Sequence, residues 1–269
     1  MTKKKDAIKN LIDASADITG AVGGGVIGTL VAGPTGAIIG GTAGPIVTRT
    51  FKRLGEEIMQ RIFGPREEVR IGAAYTFAIQ KLQEDLATGD KELREDDFFQ
   101  QPQSGRPTAE EILEGVILTA QREYEERKVP FLGYLYANIC TNAKISREHA
   151  NQLIKTASSL SFRQFGILAS LRQKKEKDDD LTFMLTFGLS NRSIQNGDII
   201  AEIRDLQQRG LVTLALLTNG TGINDNTAPI EKKDINISSS GLMFYEMLSL
   251  DRIAASDLAP LAQLMLTAD

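Results

Sequence analysis

Side chains able to form a covalent intermediate or hold a metal are scarce in this chain, which has one thiol, Cys140, and one imidazole, His149. A Cys–His pair is the arrangement that activates a thiolate nucleophile. Here Cys140 sits in an apolar stretch and His149 among polar residues of a second helical stretch, which reads as a core thiol and a surface imidazole. One cysteine allows no internal disulfide, and one histidine excludes most zinc sites and multi-histidine centres. Acidic side chains are plentiful, as in Asp96-Asp97 and in Glu123, Glu125 and Glu126 beside Arg127 and Lys128. With no nucleophile or histidine cluster beside them, they read as solvated faces rather than a paired-carboxylate site. The run Gly23-Gly24-Gly25-Val26-Ile27-Gly28 fits G-x-G-x-x-G in form, but it follows no strand and no acidic residue lies about 20 positions on. No Gly-Lys-Ser/Thr follows any glycine run, so there is no P-loop. The expectation is a protein that is not an enzyme, with no catalytic residue, no metal site and no cofactor.

The spacing that does carry information is glycine's. Ten of the 24 glycines fall between Gly20 and Gly44. They lie inside a run of 31 residues, Ile18–Thr48, that contains no charged side chain. One straight helix of that length would be about 46 Å long, against a hydrocarbon core of about 30 Å. Pro34, in Ala32-Gly33-Pro34-Thr35-Gly36, is a turn signal that divides the run into two arms. The arms repeat: Gly20 to Gly28 aligns with Gly36 to Gly44 at an offset of 16, with five of nine positions identical. Gly20, Gly24 and Gly28, and again Gly36, Gly40 and Gly44, recur at i, i+4 and i+8. On a helix that spacing makes a flat stripe where a second backbone approaches closely. Glycine costs a helix in water about 1 kcal/mol per position relative to alanine, so the pattern asks for close packing or a bilayer.

Charge divides at the same place. The first 53 residues hold seven basic and three acidic side chains, a net +4, which leaves −8 for the remaining 216 of a chain whose total is −4. Lys3, Lys4, Lys5 and Lys9 precede the uncharged run, and Arg49, Lys52 and Arg53 follow it. Positive flanks on both sides fit a hairpin whose two ends stay on the cytoplasmic face, near an anionic leaflet. Lys5 to Asp17, with Ala7, Ile8, Leu11 and Ile12, reads as a short amphipathic helix able to lie on a membrane. A soluble helical hairpin, an oligomer seam and a flexible linker remain alternatives for the glycine run.

The elements that would position this segment are mainly helical. Residues 66–87 form an amphipathic pattern with Val69, Ala73, Phe77 and Leu82 inward, Pro65 at its start and Gly89 as its stop. A polar loop over Asp90–Pro107 follows. Thr108-Ala-Glu-Glu111 has the form of a capping box, opening a helix that buries Ile112, Leu113, Val116, Ile117, Ala120 and Tyr124. Two more helices are expected around Phe131–Asn142 and Ser146–Ser159. Beyond them, Ser161–Leu171 and Asp198–Arg209 read as helices, the second stopping at Gly210. The period then changes to strand-like Leu211–Leu217, with turn signals at Asn219-Gly220 and Thr221-Gly222, a second strand over Asp234–Ser238 and a closing helix from about Gly241. Helix, helix, two-stranded wing, helix is the order of a winged helix. The expected fold is mainly α: a basic helix over 1–17, a glycine-zipper hairpin over 18–48, a helical domain over 49–159 and a winged-helix-like α+β module over 160–269. The second helix of that module carries Asp198, Glu202 and Asp205 against Arg204 and Arg209, and the wing's Lys232 and Lys233 are offset by Glu231 and Asp234. That balance disfavours nucleic acid as a partner.

Lys128-Val-Pro-Phe-Leu-Gly-Tyr-Leu-Tyr-Ala-Asn138, Ile145-Ser-Arg-Glu-His-Ala150 and Leu160-Ser-Phe-Arg-Gln-Phe-Gly-Ile-Leu168 come in an informative order. They are followed by Asp205-Leu-Gln-Gln-Arg-Gly-Leu-Val212 and Ser240-Gly-Leu-Met-Phe244. This order resembles the C-terminal half of the Abi-alpha (abortive-infection alpha) family of bacterial proteins over residues 128–245. The resemblance implies a role in phage defence by arresting or killing the infected cell, and carries over no catalytic residue. The N-terminal arms are separately similar to glycine-zipper segments of membrane-active bacterial proteins. The expected function is a bacterial membrane-perturbing effector. Its hairpin would oligomerise in the lipid of the inner membrane, while an acidic body on the cytoplasmic side stays free to meet a regulatory protein. The alternative is a soluble winged-helix regulator or adaptor that binds a partner protein or, less readily, DNA.

Overall fold

A computed structural model of the chain describes residues 44–61, 63–176, 197–214, 218–219, 223–224 and 235–264. Among these residues the fold is mainly helical, with nine α-helices and short antiparallel strand pairs. The chain divides into two compact units, residues 1–160 with Met247–Ser249, and residues 161–246 with 250–269.

The first unit contains five helices: α1 (Gly44–Met59), α2 (Pro65–Thr88), α3 (Thr108–Arg122), α4 (Val129–Cys140) and α5 (Arg147–Ser159). Its centre is α4, Val-Pro-Phe-Leu-Gly-Tyr-Leu-Tyr-Ala-Asn-Ile-Cys, all twelve residues of which are buried. A helix apolar on every side must be covered on every side, and α2, α3 and α5 all pack on it. The closest approach is between α4 and α2 at Gly133. A Cβ there would lie 2.6 Å from the carbonyl oxygen of Ala74 and 2.9 Å from the amide nitrogen of Ala78. Edge-on aromatic pairs fill the flanks: Phe77 with Tyr134 at 5.7 Å, and Phe131 with Tyr134 at 5.8 Å between ring centres.

Helix boundaries follow local chemistry. Pro65 opens α2, the Gly64 amide donates to Glu67 Oε2 at 2.8 Å, and Gly89 ends the helix at φ +72°. Ser146 caps α5 by accepting from the His149 amide. Two sequence expectations fail around α3. Thr108 is the first helical residue rather than a cap, and the amides of Glu110 and Glu111 donate to the Pro107 carbonyl instead. That shift takes Glu111 out of the third helical position, and its carboxylate accepts from Arg147 and Asn151 of α5. At the other end, α3 stops at Arg122 and Glu123 turns extended, so Tyr124 loses the helical phase and is 84% exposed rather than buried. The polar stretch before α3 holds a 3-10 turn, Asp97–Phe99, that buries Phe98 and Phe99 beneath an Asp96 cap.

The second unit contains α6 (Phe162–Glu176), α7 (Gly197–Gln208), β1 (Val212–Leu214), β2 (Thr218–Asn219), β3 (Ile223–Asn224), β4 (Ile235–Ile237), α8 (Ser239–Leu248) except its last two residues, which belong to the first unit, and α9 (Ala255–Leu264). The periodic apolar residues Phe162, Phe165, Leu168 and Leu171 of α6 are inward as expected, and so are Ile199, Ile203 and Leu206 of α7, whereas Ile200, also expected inward, is only half-buried. Gly210, at φ +71°, ends the turn after α7. β1 and β4 pair antiparallel, Val212 opposite Ile237 and Leu214 opposite Ile235, and β2 pairs with β3. Gly241 lets α8 start directly against β1, since a Cβ there would sit 1.9 Å from the Leu211 carbonyl oxygen. Phe165 meets Phe244 edge-on at 5.9 Å.

Two glycines of the first unit, Gly133 and Gly115, predict opposite results. Gly133→Ala should lower stability in urea by about 1–3 kcal/mol, because backbone rather than a flexible side chain must yield. Gly115 lies within α3, and its Cβ would find only Ile154 Cδ1 at 3.4 Å. Gly115→Ala should therefore be neutral or gain about 0.5–1 kcal/mol. A G133A midpoint equal to wild type would contradict the close α2–α4 approach.

Candidate functional site

The sequence placed the functional segment ahead of residue 49, and most of it lies outside the described residues. That holds for Lys3, Lys4, Lys5, Lys9, Gly20, Gly24, Gly28, Pro34, Gly36 and Gly40, and with them the amphipathic stretch Lys5 to Asp17. Gly44 is the first residue of α1. Arg49, Lys52 and Arg53 are exposed along that helix. The helix runs straight through residue 48, where the uncharged run ends, because Val47 is already a core residue of the first unit. Val47, Phe51, Leu54 and Ile58 are all 3% exposed or less. Each such burial contributes about 1.5–3 kcal/mol of transfer free energy.

Directional contacts fix α1 in place. The Tyr75 hydroxyl donates to the Phe51 carbonyl at 2.8 Å, and the Phe51 ring meets Tyr75 at 5.4 Å and Tyr136 at 5.5 Å, both edge-on. Arg53 Nη1 lies 3.4 Å from Glu110 Oε1 of α3, and also 3.4 Å from Gln101 Oε1. Just past the helix, Arg61 donates to Glu57 and to Glu114 Oε1, both at 2.7 Å, and Arg106 closes on the other oxygen of Glu114. The face turned outward begins with Ile46, 43% exposed, and continues through Arg49 and Arg53 at i+3 and i+7. An apolar residue followed by guanidinium groups is the order of a surface where a polar medium meets an apolar one. Glu56 and Glu57 limit the basic stripe to the first half of the helix.

Several other titratable groups are engaged structurally. Cys140 is fully buried, and burial pushes its thiol up to about 12, so it is not a thiolate at neutral pH. Tyr136 and Tyr75 are also driven up by burial. The Glu123–Lys128 stretch, expected as a solvated face, holds a buried pair: Lys128 Nζ donates to Glu123 Oε2 at 2.7 Å and to the Ser158 carbonyl at 3.2 Å. A second network joins Lys81 to Asp85, Lys91 Nζ to Asp85 at 3.1 Å and Lys91 Nζ to Asn138 Oδ1 at 2.7 Å. Asn138 Nδ2 then donates to the Met247 carbonyl and to Ser249 Oγ, each at 2.9 Å. Asp96 is held below the usual carboxylate range by its hydrogen bonds from Arg94, whose guanidinium also lies 4.3 Å over the Phe98 ring. Among the described residues no cluster of three or more His, Cys, Asp or Glu is placed to hold a metal, and no helix is long and apolar enough to cross a membrane.

In the second unit, two of the acidic residues in that charge balance are engaged within the fold. Glu202 and Asp205 of α7 do not form an outward acidic face. Ser161 Oγ and Arg163 Nε donate to Glu202 at 3.0 and 2.6 Å, and Gln164 and Arg209 each donate to Asp205 Oδ2 at 2.8 Å. Burial works against ionising Asp205, but those two hydrogen bonds outweigh it and its pKa is lowered. The exposed side of α7 keeps Asp198, Ala201, Gln207 and Gln208, which form no basic stripe. The wing's Glu231, Lys232, Lys233 and Asp234 lie outside the described residues.

Compared with family models, with curated proteins and with solved structures, the chain matches none.

The anchoring of α1 makes a pH prediction. Burial opposes ionisation of Glu114, but the hydrogen bonds from Arg61 and Arg106 prevail and lower its pKa. A carboxyl lowered in the native state stabilises above its unfolded value, about 4.3, and loses that contribution as pH falls through the native value. Glu114→Gln should therefore unfold at lower urea than wild type at neutral pH, and the gap should close as the pH is taken below that range. A gap independent of pH would show that the carboxylate does not hold α1.

Proposed function

We propose that this chain is a membrane-perturbing bacterial effector whose glycine-zipper segment acts on the inner membrane. The observation that carries the reading is the 31-residue uncharged run with two glycine stripes 16 residues apart, which leads directly into a helix locked to the first unit. Arms of roughly 14–16 residues are short for the bilayer, which favours several copies packing through their stripes or local thinning. Arg49, Lys52 and Arg53 on the outward face of α1 would then meet anionic headgroups at the cytoplasmic surface, each contributing about 1 kcal/mol. The resemblance to the Abi-alpha family assigns the arrest to phage defence. On this reading the protein works as a homo-oligomer in lipid and holds no cofactor.

A second reading takes the two helices, the β1–β4 strand pair and the closing helix of the second unit as a winged-helix-like module. It makes the chain a regulator or adaptor that binds a partner protein, with the glycine segment as a tether or oligomer seam. The absence of a basic stripe on the exposed side of α7 argues against DNA.

Deletion of residues 18–43 separates the two readings, since it removes the glycine arms while sparing Val47 and the rest of α1. The intact protein is expected in the membrane fraction with loss of membrane potential, and the deletion in the soluble fraction with the potential intact. Gly24→Leu with Gly40→Leu should abolish depolarisation and leave the far-UV circular dichroism unchanged. Toxicity that survives the double substitution would sink the zipper mechanism. An intact protein that stays soluble and leaves the potential unchanged would favour the adaptor.

A further inference from the structure

At the end of α3 lies a pocket of about 200 Å³, open to solvent and lined by Leu118, Thr119, Arg122, Glu123, Tyr124 and Ser158. Its donors are free among the described residues. Arg122 makes no hydrogen bond or ion pair among the described residues, and neither does the Tyr124 hydroxyl or Ser158 Oγ. The guanidinium groups of Arg53, Arg61, Arg66, Arg94 and Arg147, all in the same unit, lie on carboxylates. The one acid in the lining is fully occupied. Glu123 is 5% exposed, Oε1 accepts from the Glu125 amide at 3.0 Å, and Oε2 accepts from Lys128 Nζ at 2.7 Å. Arg70 Nη1 adds a further positive charge behind it, donating to the Glu123 carbonyl at 2.5 Å. With that carboxylate neutralised by Lys128, the charge left to face the pocket is the positive charge of Arg122.

Tyr124 supplies the second observation. It stands at the mouth of this pocket and is 84% exposed, twice the figure for Ile46, the other large apolar side chain that is exposed among the described residues. An exposed aromatic ring beside an unpaired guanidinium is a recognition surface more often than a packing feature. The fork of N–H donors on arginine matches a carboxylate or a phosphate in bidentate geometry. The ring of Tyr124 and the methyls of Leu118 offer a flat apolar wall. The volume is below that of pockets for drug-sized molecules, about 300–1,000 Å³.

We infer that this pocket binds a small organic anion, a phosphate or carboxylate carried on a flat ring, with the charged end on Arg122 and the ring against Tyr124. Every residue of that lining belongs to the first unit, and occupancy of the pocket would give that unit a chemical signal.

Titration of the purified full chain with phenyl phosphate, benzoate and inorganic phosphate, followed by ligand-observed NMR, tests the inference. Phenyl phosphate and benzoate should saturate at millimolar concentration, and inorganic phosphate should bind at least about tenfold more weakly, because it lacks the ring. Arg122→Ala should weaken phenyl phosphate at least about tenfold, and Arg122→Lys should fall between the two, keeping the charge and losing the fork. Tyr124→Ala should bring phenyl phosphate to the level of inorganic phosphate. Neither side chain has a partner among the described residues, so thermal unfolding of the variants should match wild type, which separates lost binding from lost fold. Absence of saturation by either ring-bearing probe up to about 10 mM, a weaker regime than the 1 mM scale of about −4 kcal/mol, would overturn the inference. Equal binding by wild type and R122A would overturn it as well.

Discussion

Helix α4 has no solvent face, and the first unit is arranged around that constraint. Twelve consecutive buried residues must find apolar neighbours in every direction, and no single helix can supply them. α2 supplies the closest, and it does so by backbone approach: Gly133 faces Ala74 and Ala78, where any larger residue would push the two helices apart. Close approach brings the aromatic rings of both helices into edge-on contact rather than leaving space between them. The same constraint reaches α1, because the edge of Tyr136 on α4 is one of the surfaces that Phe51 covers. The amphipathic α1 is thus part of the cover of the central helix, not an appendage to it.

Apolar surfaces alone would let α4 slide, because hydrophobic contact is nearly indifferent to register. The polar groups at the two ends of α4 remove that freedom. At its start Lys128, 1% exposed, is tied to Glu123 and to the Ser158 carbonyl. Near its end Asn138 is held by Lys91 on one side and holds Met247 and Ser249 on the other. Burying such groups costs several kcal/mol per ion before their mutual attraction is counted. Their contribution is therefore to position rather than to net stability. Ser249, a non-glycine residue at φ +53°, shows the force of that positioning. A left-handed backbone costs about 1–2 kcal/mol, and both donor hydrogens of the Asn138 amide are spent holding the segment there.

The periodic residues were legible in the sequence. Phe77 and Leu82, Ile112 to Ala120, and Ile199, Ile203 and Leu206 are buried where a 3.6-residue repeat puts them, and the Pro65 and Gly89 boundaries follow from backbone chemistry alone. The strand pair was legible from the change of period after Gly210 and from the second apolar run near Ile235. What could not be read depends on partners far along the chain. Glu123 looks like part of a charged helix end until Lys128 and Ser158 are folded around it. Tyr124 looks like a core residue until Glu123 is drawn inward and the helix stops. Glu202 and Asp205 look like an outward acidic face until Ser161, Arg163 and Gln164 reach them from some 40 residues upstream. A charge count along a helix does not say which charges are already spent. For the same reason the free guanidinium of Arg122 was invisible among the other arginines.

The junction of α1 with the glycine run has a chemistry of its own. Pro45 has no amide hydrogen, so a helix extended upstream through it would lack the bond from residue 45 to residue 41. Its ring also disfavours helical geometry at Gly44. In the first turn of a helix the lost bond costs nothing, because those amides have no intrahelical partner anyway, and glycine at 44 lacks the Cβ that would meet the proline ring. Gly44-Pro45 is therefore chemically suited to be the place where α1 begins, and poorly suited to the interior of a longer helix. On the proposed reading, an arm that exchanges water for lipid must reorient while the unit behind it stays folded. A helix start built on Gly-Pro, immediately ahead of the fully buried Val47, separates those two requirements. On that reading, reorientation ahead of Pro45 would break no bond from a proline amide, and Val47, two residues later, is fully buried.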